Sequence, residues 1–169
     1  MIGDVEVRET RGKGKGVFAK RRFRKGEFIL RRRHVRVVTS SDIPGLSPEE
    51  RRHLCELDFE RSAVLSGAGA YLNHSCEPNA MRSGVKVFAW RAIARGDEIT
   101  IDYRLNAFDG ATFRCACGSR SCEGTVVNSF FALSPARQRA YLPYAPAFIR
   151  RELARRAGRA RRSSADATG

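Results

Sequence analysis

The chain has 169 residues, 42% of them hydrophobic, and carries 32 Lys+Arg against 18 Asp+Glu for a formal net charge of +14. That length suits one domain with a real core and a short appendage, and argues against a two-domain enzyme. No apolar run approaches a membrane span, and five cysteines without an export-type leader read as metal ligands plus one spare thiol rather than a disulfide framework, so the cytoplasm is the expected location.

In chain order, Val5 to Arg8 and Gly16 to Ala19 read as short strands around the glycine-rich turn Arg11 to Gly16. Phe28 to Val38 alternates apolar and basic residues with the period of a strand. Ser47-Pro48-Glu49-Glu50 combines an N-cap serine, a first-turn proline and a capping glutamate, which predicts a helix running to about Phe59. Val85 to Trp90 and Glu98 to Tyr103 read as further strands. After the cysteines the pattern turns helical, with one helix opened by Ser134-Pro135 and ended by Pro143, and a second over Ala147 to Ala157. The last dozen residues read as a disordered tail.

Charge is unevenly spread. Residues 1–36 carry 13 basic and 4 acidic side chains, residues 37–136 carry 10 and 12, and residues 137–169 carry 9 and 2. Basic ends suit phosphate contacts and hence proximity to nucleic acid, whereas the slightly acidic middle suits a lysine- and arginine-rich peptide. Arginine dominates the basic residues, and a bias of genome composition explains that equally well.

Four segments carry the candidate chemistry. The turn Lys13-Gly14-Lys15-Gly16 lets backbone approach a ligand, as many plain hairpins also do. Asn73-His74-Ser75-Cys76-Glu77-Pro78-Asn79 is followed at close range by Gly96-Asp97-Glu98-Ile99-Thr100-Ile101-Asp102-Tyr103. Cys115, Cys117 and Cys122 supply three closely spaced thiolates, one short of a closed tetrahedral zinc site. Cys55, by contrast, reads as an ordinary small core or surface residue.

Together these segments resemble the signatures of the SET-domain protein lysine methyltransferases with a post-SET zinc module, over roughly Val5 to Val127. The resemblance implies a β-rich fold with few helices, of the β-clip-like SET type, in which the Asn73 and Tyr103 segments form a pseudoknot. It implies a SET domain over 1–110 with an insert at 40–68 forming one wall of a peptide groove, a zinc module over 111–127, a helical extension over 128–158 and a tail over 159–169. S-adenosylmethionine is the implied cofactor, held by Lys13, Gly14, Lys15, Gly16, Tyr71, Asn73, His74 and Tyr103. Tyr103 is the implied catalytic residue, Cys76 completes one structural zinc site with Cys115, Cys117 and Cys122, and Tyr71 and Phe113 line the acceptor channel, with Phe88 and Trp90 more suited to the core. The implied partner is a basic protein with a target lysine, histone or histone-like. Ala70, Ile101 and Glu123 depart from the family pattern. The rival expectation is a non-catalytic, zinc-containing nucleic-acid-binding protein on the same scaffold.

Overall fold

The computed structural model describes residues 3–166, with side chains described as far as Arg159. Strands β1 (Val5–Glu9) and β2 (Lys15–Ala19) form the expected hairpin, with Val7 opposite Val17. Gly12 and Gly14 sit at φ 81° and 66°, which a side chain would resist, and so close the turn. The apolar-basic run then divides into β3 (Phe28–Arg31) and β4 (Arg33–Thr39). A single strand was expected there, but the chain changes sheets at Arg32: β3 pairs with β9 (Lys86–Ala89), whereas β4 pairs with β6 (Arg61–Ser66). Period-2 alternation reports exposure on one face and says nothing about which partner each half finds.

Helix α1 (Pro48–Arg52) begins on the expected capping box, in which Glu50 N donates to Ser47 Oγ at 3.2 Å and Ser47 N donates to Glu50 at 2.9 Å. It ends after Arg52 rather than near Phe59. Leu54–Glu56 becomes β5 and pairs with the open edge of β6, satisfying backbone groups that a continued helix would leave exposed along that edge.

β7 (Asn73–His74), β8 (Ala80–Ser83) and β10 (Glu98–Ile101) bring the two signature segments together. β10 lies antiparallel to β2 and parallel to β7, with Thr100 opposite Asn73 and Ile101 opposite His74. β8 joins β9 and β3 in a separate sheet. Asn79 locks the crossing, its Nδ2 donating to Glu98 O at 2.8 Å and its Oδ1 accepting from Thr100 N at 2.9 Å. Val17, Phe23, Ile29, Leu72, Val87, Ile93 and Ile99 form the core beneath these sheets.

β11 (Thr112–Arg114) and β12 (Thr125–Val127) flank the cysteine-rich loop. Helix α2 (Pro135–Tyr141) is capped by Ser134, and α3 (Ala147–Asp166) follows. Both pack on a second core of Met81, Leu105, Phe130, Tyr141, Phe148 and Ile149, so the extension covers the body of the domain. Phe88 and Trp90 contact Tyr144 there, with ring centroids 5.4 and 5.3 Å away. α3 continues well past Ala157, into the segment expected as a tail, because the Ala- and Arg-rich sequence there favours helix. Residues 167–169 of that expected tail lie outside the described residues. No described helix is long and apolar enough to cross a membrane.

Candidate active site

Tyr103 stands just beyond β10, in a 3-10 turn that Asp102 opens by accepting from Arg104 N at 3.1 Å. Its backbone N donates to His74 Nδ1 at 3.3 Å, and its hydroxyl donates to Leu72 O at 2.9 Å. Both ends of the residue are thus fixed to the Asn73 segment. Tyr103 is 37% exposed as a whole, but its hydroxyl end is turned inward onto Leu72 O, and desolvation there pushes its pKa up to about 12, so the phenol keeps its proton at neutral pH.

His74 is buried, and burial lowers its pKa, which favours the neutral ring. Because Nδ1 accepts from Tyr103 N, the remaining proton belongs on Nε2, 3.5 Å from Cys76 Sγ. Asp102 Oδ1 lies 3.6 Å from Nδ1, too long for a hydrogen bond, and is engaged by Arg104 at 2.9 Å instead.

Lys13, Gly14, Lys15, Tyr71, Asn73 and Tyr103 line one cleft of about 480 Å³, together with Glu9, Glu49 and His53. That volume lies within the roughly 300–1,000 Å³ of small-molecule sites. Asn73 Nδ2 donates to Lys15 O at 3.0 Å and to Glu98 Oε1 at 2.8 Å, while Lys13 pairs with the other oxygen of Glu98. Lys15 Nζ stands 5.6 Å from the Tyr71 ring centroid. Gly16 lies behind the cleft and owes its identity to crowding: a Cβ there would stand 2.7 Å from Glu98 Oε1 and 3.0 Å from Asn73 Nδ2. His74 faces an adjoining cavity of about 200 Å³, shared with Tyr103, Phe113, Cys115 and Cys117. Phe113 packs edge-on against His74 at 5.2 Å and lies 6.0 Å from the Tyr103 ring.

Cys76, Cys115, Cys117 and Cys122 converge, with ligand atoms all within 4.8 Å of one another and Cys76 Sγ 3.9 Å from Cys115 Sγ. Tetrahedral zinc with Zn–S of about 2.3 Å requires sulfur separations of about 3.8 Å, so the donor set fits a thiolate-bound metal ion. Gly118 and Gly124, both at φ 68°, make the turns of this knuckle.

A family model described as SET domain matches residues 14–104. The chain belongs to the SET-domain family. It is 40% identical over 83 residues to the histone-lysine N-methyltransferase ASHR3 of Arabidopsis thaliana, a match covering 43% of this chain and 16% of that protein. Over 134 residues it is 30% identical to the H3 lysine-36 specific histone-lysine N-methyltransferase of Candida albicans, covering 70% of this chain and 16% of the relative. The chain therefore spans about a sixth of the length of these relatives. In structure it resembles the methyltransferase domain of human SETMAR with a TM-score of 0.59 at 20% identity, over 74% of this chain and 58% of that one.

The SET-domain match ends one residue after Tyr103, so the knuckle and the C-terminal helices lie beyond it. Three features of the site escaped sequence reasoning. Glu98 ties Lys13 to Asn73; it stands within the second signature run, but no role was assigned to it there. Arg104 is 2% exposed and grips Asp102 through Nε and Nη2, both at 2.9 Å, then reaches Glu123 of the knuckle at 2.8 and 3.0 Å. Burial opposes the Arg104 charge, but these two carboxylates raise its pKa. Arg32 and Arg82 are also buried beside Tyr103, a placement no local pattern announced. Among the acids of the 40–68 insert, Glu50 and Asp58 are engaged internally with Arg36 and Arg61, Glu49 faces the cleft, and Glu56 lines a separate cavity.

Proposed function

We propose that this chain is a protein-lysine N-methyltransferase that uses S-adenosylmethionine and acts on a basic, histone-like protein. The observation that carries it is Tyr103, whose fixed, protonated hydroxyl stands at the wall of a cleft lined by the same Lys13-Gly14-Lys15, Tyr71 and Asn73 that the family pattern assigns to the cofactor. The names of the relatives support the same activity.

Bound S-adenosylmethionine supplies a methyl group on a positive sulfonium. Asn73 and Lys13, held by Glu98, fix the floor of the cleft, and Lys15 and Tyr71 close one side. Direct displacement needs a neutral amine in line with the methyl, and a free lysine with pKa of about 10.4 is almost wholly protonated at neutral pH. A neighbouring cation in a poorly solvated channel lowers that pKa. The Tyr103 hydroxyl orients the amine lone pair; a phenol with pKa about 12 is not the base, so the amine proton leaves to water. Phe113 walls this space against the knuckle. The four thiolates hold one zinc ion in a structural role, fastening the knuckle to the SET domain through Cys76. Basic ends and a basic substrate together favour work close to nucleic acid.

The test is transfer of labelled methyl from S-adenosylmethionine to core histones and basic nucleoid and ribosomal proteins, with Tyr103→Phe in parallel. Label on one protein that vanishes in the variant establishes the activity. Absence of measurable cofactor binding overturns it.

A further inference from the structure

Two arginines beside Tyr103 are buried with little to neutralise them. Arg32, where the chain leaves β3 for β4, is 6% exposed, and Arg82 on β8 is 7% exposed. Both line a cavity of about 130 Å³ whose wall includes Tyr103, Ile101 and Leu72. The Nε of each guanidinium has no hydrogen-bond partner among the described residues. Neither arginine forms an ion pair among those residues. Arg82 donates to Cys55 Sγ at 3.6 Å, but a thiol is a weak acceptor. Burial, with Arg32 nearby, pulls the Arg82 pKa down to about 10.

The remaining wall offsets this charge only in part. Glu56 is the one acid lining the cavity among the described residues; burial raises its pKa, and Asn106 Nδ2 donates to it at 3.2 Å. Arg52 adds a further guanidinium at the same wall. Asn128 Oδ1 is the third unpartnered buried atom; an amide flip would turn its N–H₂ group there, giving up only a 3.5 Å contact to Asp109. Buried charge without a partner is costly, and paired guanidinium forks match the geometry of a carboxylate.

We infer that this cavity is an anion-binding subsite bordering Tyr103, formed by Arg32 and Arg82 and taking a carboxylate-sized oxyanion. The carboxylate belongs either to the acceptor protein, as an acidic side chain or chain end close to the target lysine, or to a free small acid. A lysine ammonium in the same place would meet two cations in a poor solvent. That the occupant assists an acceptor at Tyr103 rests on the proposed methyltransferase activity; the binding itself does not.

The test is saturable binding of ¹³C-acetate to the full chain by NMR, with n-butylammonium as the cationic counterpart. Acetate is expected to bind, to weaken at least about tenfold in Arg32→Met and Arg82→Met, and to tighten in Glu56→Gln. Should Arg82→Met fail to fold, the near-isosteric Glu56→Gln still gives a signed result. Acetate binding that is absent, or unchanged in Arg32→Met, overturns the subsite, as does butylammonium binding that strengthens in Arg32→Met and weakens in Glu56→Gln. A lysine peptide with a neighbouring aspartate that competes with acetate, and loses affinity about tenfold as its asparagine counterpart, identifies the acceptor as the source; acetate binding indifferent to both peptides identifies a free acid. Cofactor binding, measured separately, reports on the proposed activity alone.

Discussion

Tyr103 is held at both ends, which separates what its hydroxyl does from what its ring does. Tyr103→Phe removes the 2.9 Å bond to Leu72 O but leaves the backbone bond to His74 and the packing against Phe113. Turnover is expected to fall by about 10²–10³-fold, the usual loss for one well-placed group at a reacting centre, with cofactor affinity nearly unchanged. Single-turnover kinetics and calorimetry check the two separately. Because Tyr103 loses its proton only near pH 12, the wild-type rate should rise with pH as the acceptor amine deprotonates, with no descending limb from this phenol at lower pH. A descending limb near neutrality would contradict that assignment. Gly16 gives a complementary expectation. Its φ is not positive, so Gly16→Ala strains no backbone; the new Cβ instead presses Glu98 and the Thr10 methyl, each at 2.7 Å, and Asn73 at 3.0 Å. Cofactor affinity should drop about tenfold while the melting temperature moves little, since the side chain of Glu98 can swing aside at the expense of its bonds to Lys13 and Asn73.

Among the elements, those written by local chemistry were legible. The Ser47 capping box, the Ser134-Pro135 helix start and the β1–β2 hairpin stand where side-chain pattern and caps place them. The elements that departed from pattern did so through partners distant in sequence. β5 exists because β6 had an open edge, and the break at Arg32 exists because β9 and β6 lie in different sheets. The site divides in the same way. Motif residues with short spacing were recognisable, whereas Glu98, Arg32, Arg82 and the Arg104–Glu123 link depend on contacts that no spacing encodes. Glu123 departs from the family pattern and yet makes a new contact, accepting two bonds from Arg104. Arg104→Met would leave the Asp102 carboxylate, 3% exposed, with only the 3.3 Å bond from Tyr141 and its contact to Arg104 N. An unpaired buried charge of this kind costs about 3–5 kcal/mol. Denaturant titration should show that loss, and Asp102→Asn in the same chain should recover part of it; an equal loss in the double variant would mean that Arg104 acts by packing alone.

At the scale of the molecule, two cores hold the chain by different means. The helical extension is fastened by apolar packing around Phe130, Phe148 and Ile149, whereas the knuckle between β11 and β12 contributes few buried apolar side chains. Besides the Arg104–Glu123 link, it is tied to the SET domain through Cys76, which is fully buried and 39 residues before Cys115. A metal ion bound there closes a long loop and folds the knuckle against the His74–Tyr103–Phe113 cluster. Without it, four thiols replace four metal bonds, and the loop regains the conformational freedom that the ion had removed. Removing metal with a chelator should therefore release one zinc per chain and weaken cofactor binding, because Phe113, Cys115 and Cys117 wall the cavity next to Asn73. The helices need no metal to stay packed, so far-UV circular dichroism near 222 nm should change little over the same titration. Loss of helical signal in step with zinc release would show instead that the two cores unfold as one unit; cofactor affinity unmoved by zinc loss would mean that the knuckle has no part in shaping the cleft.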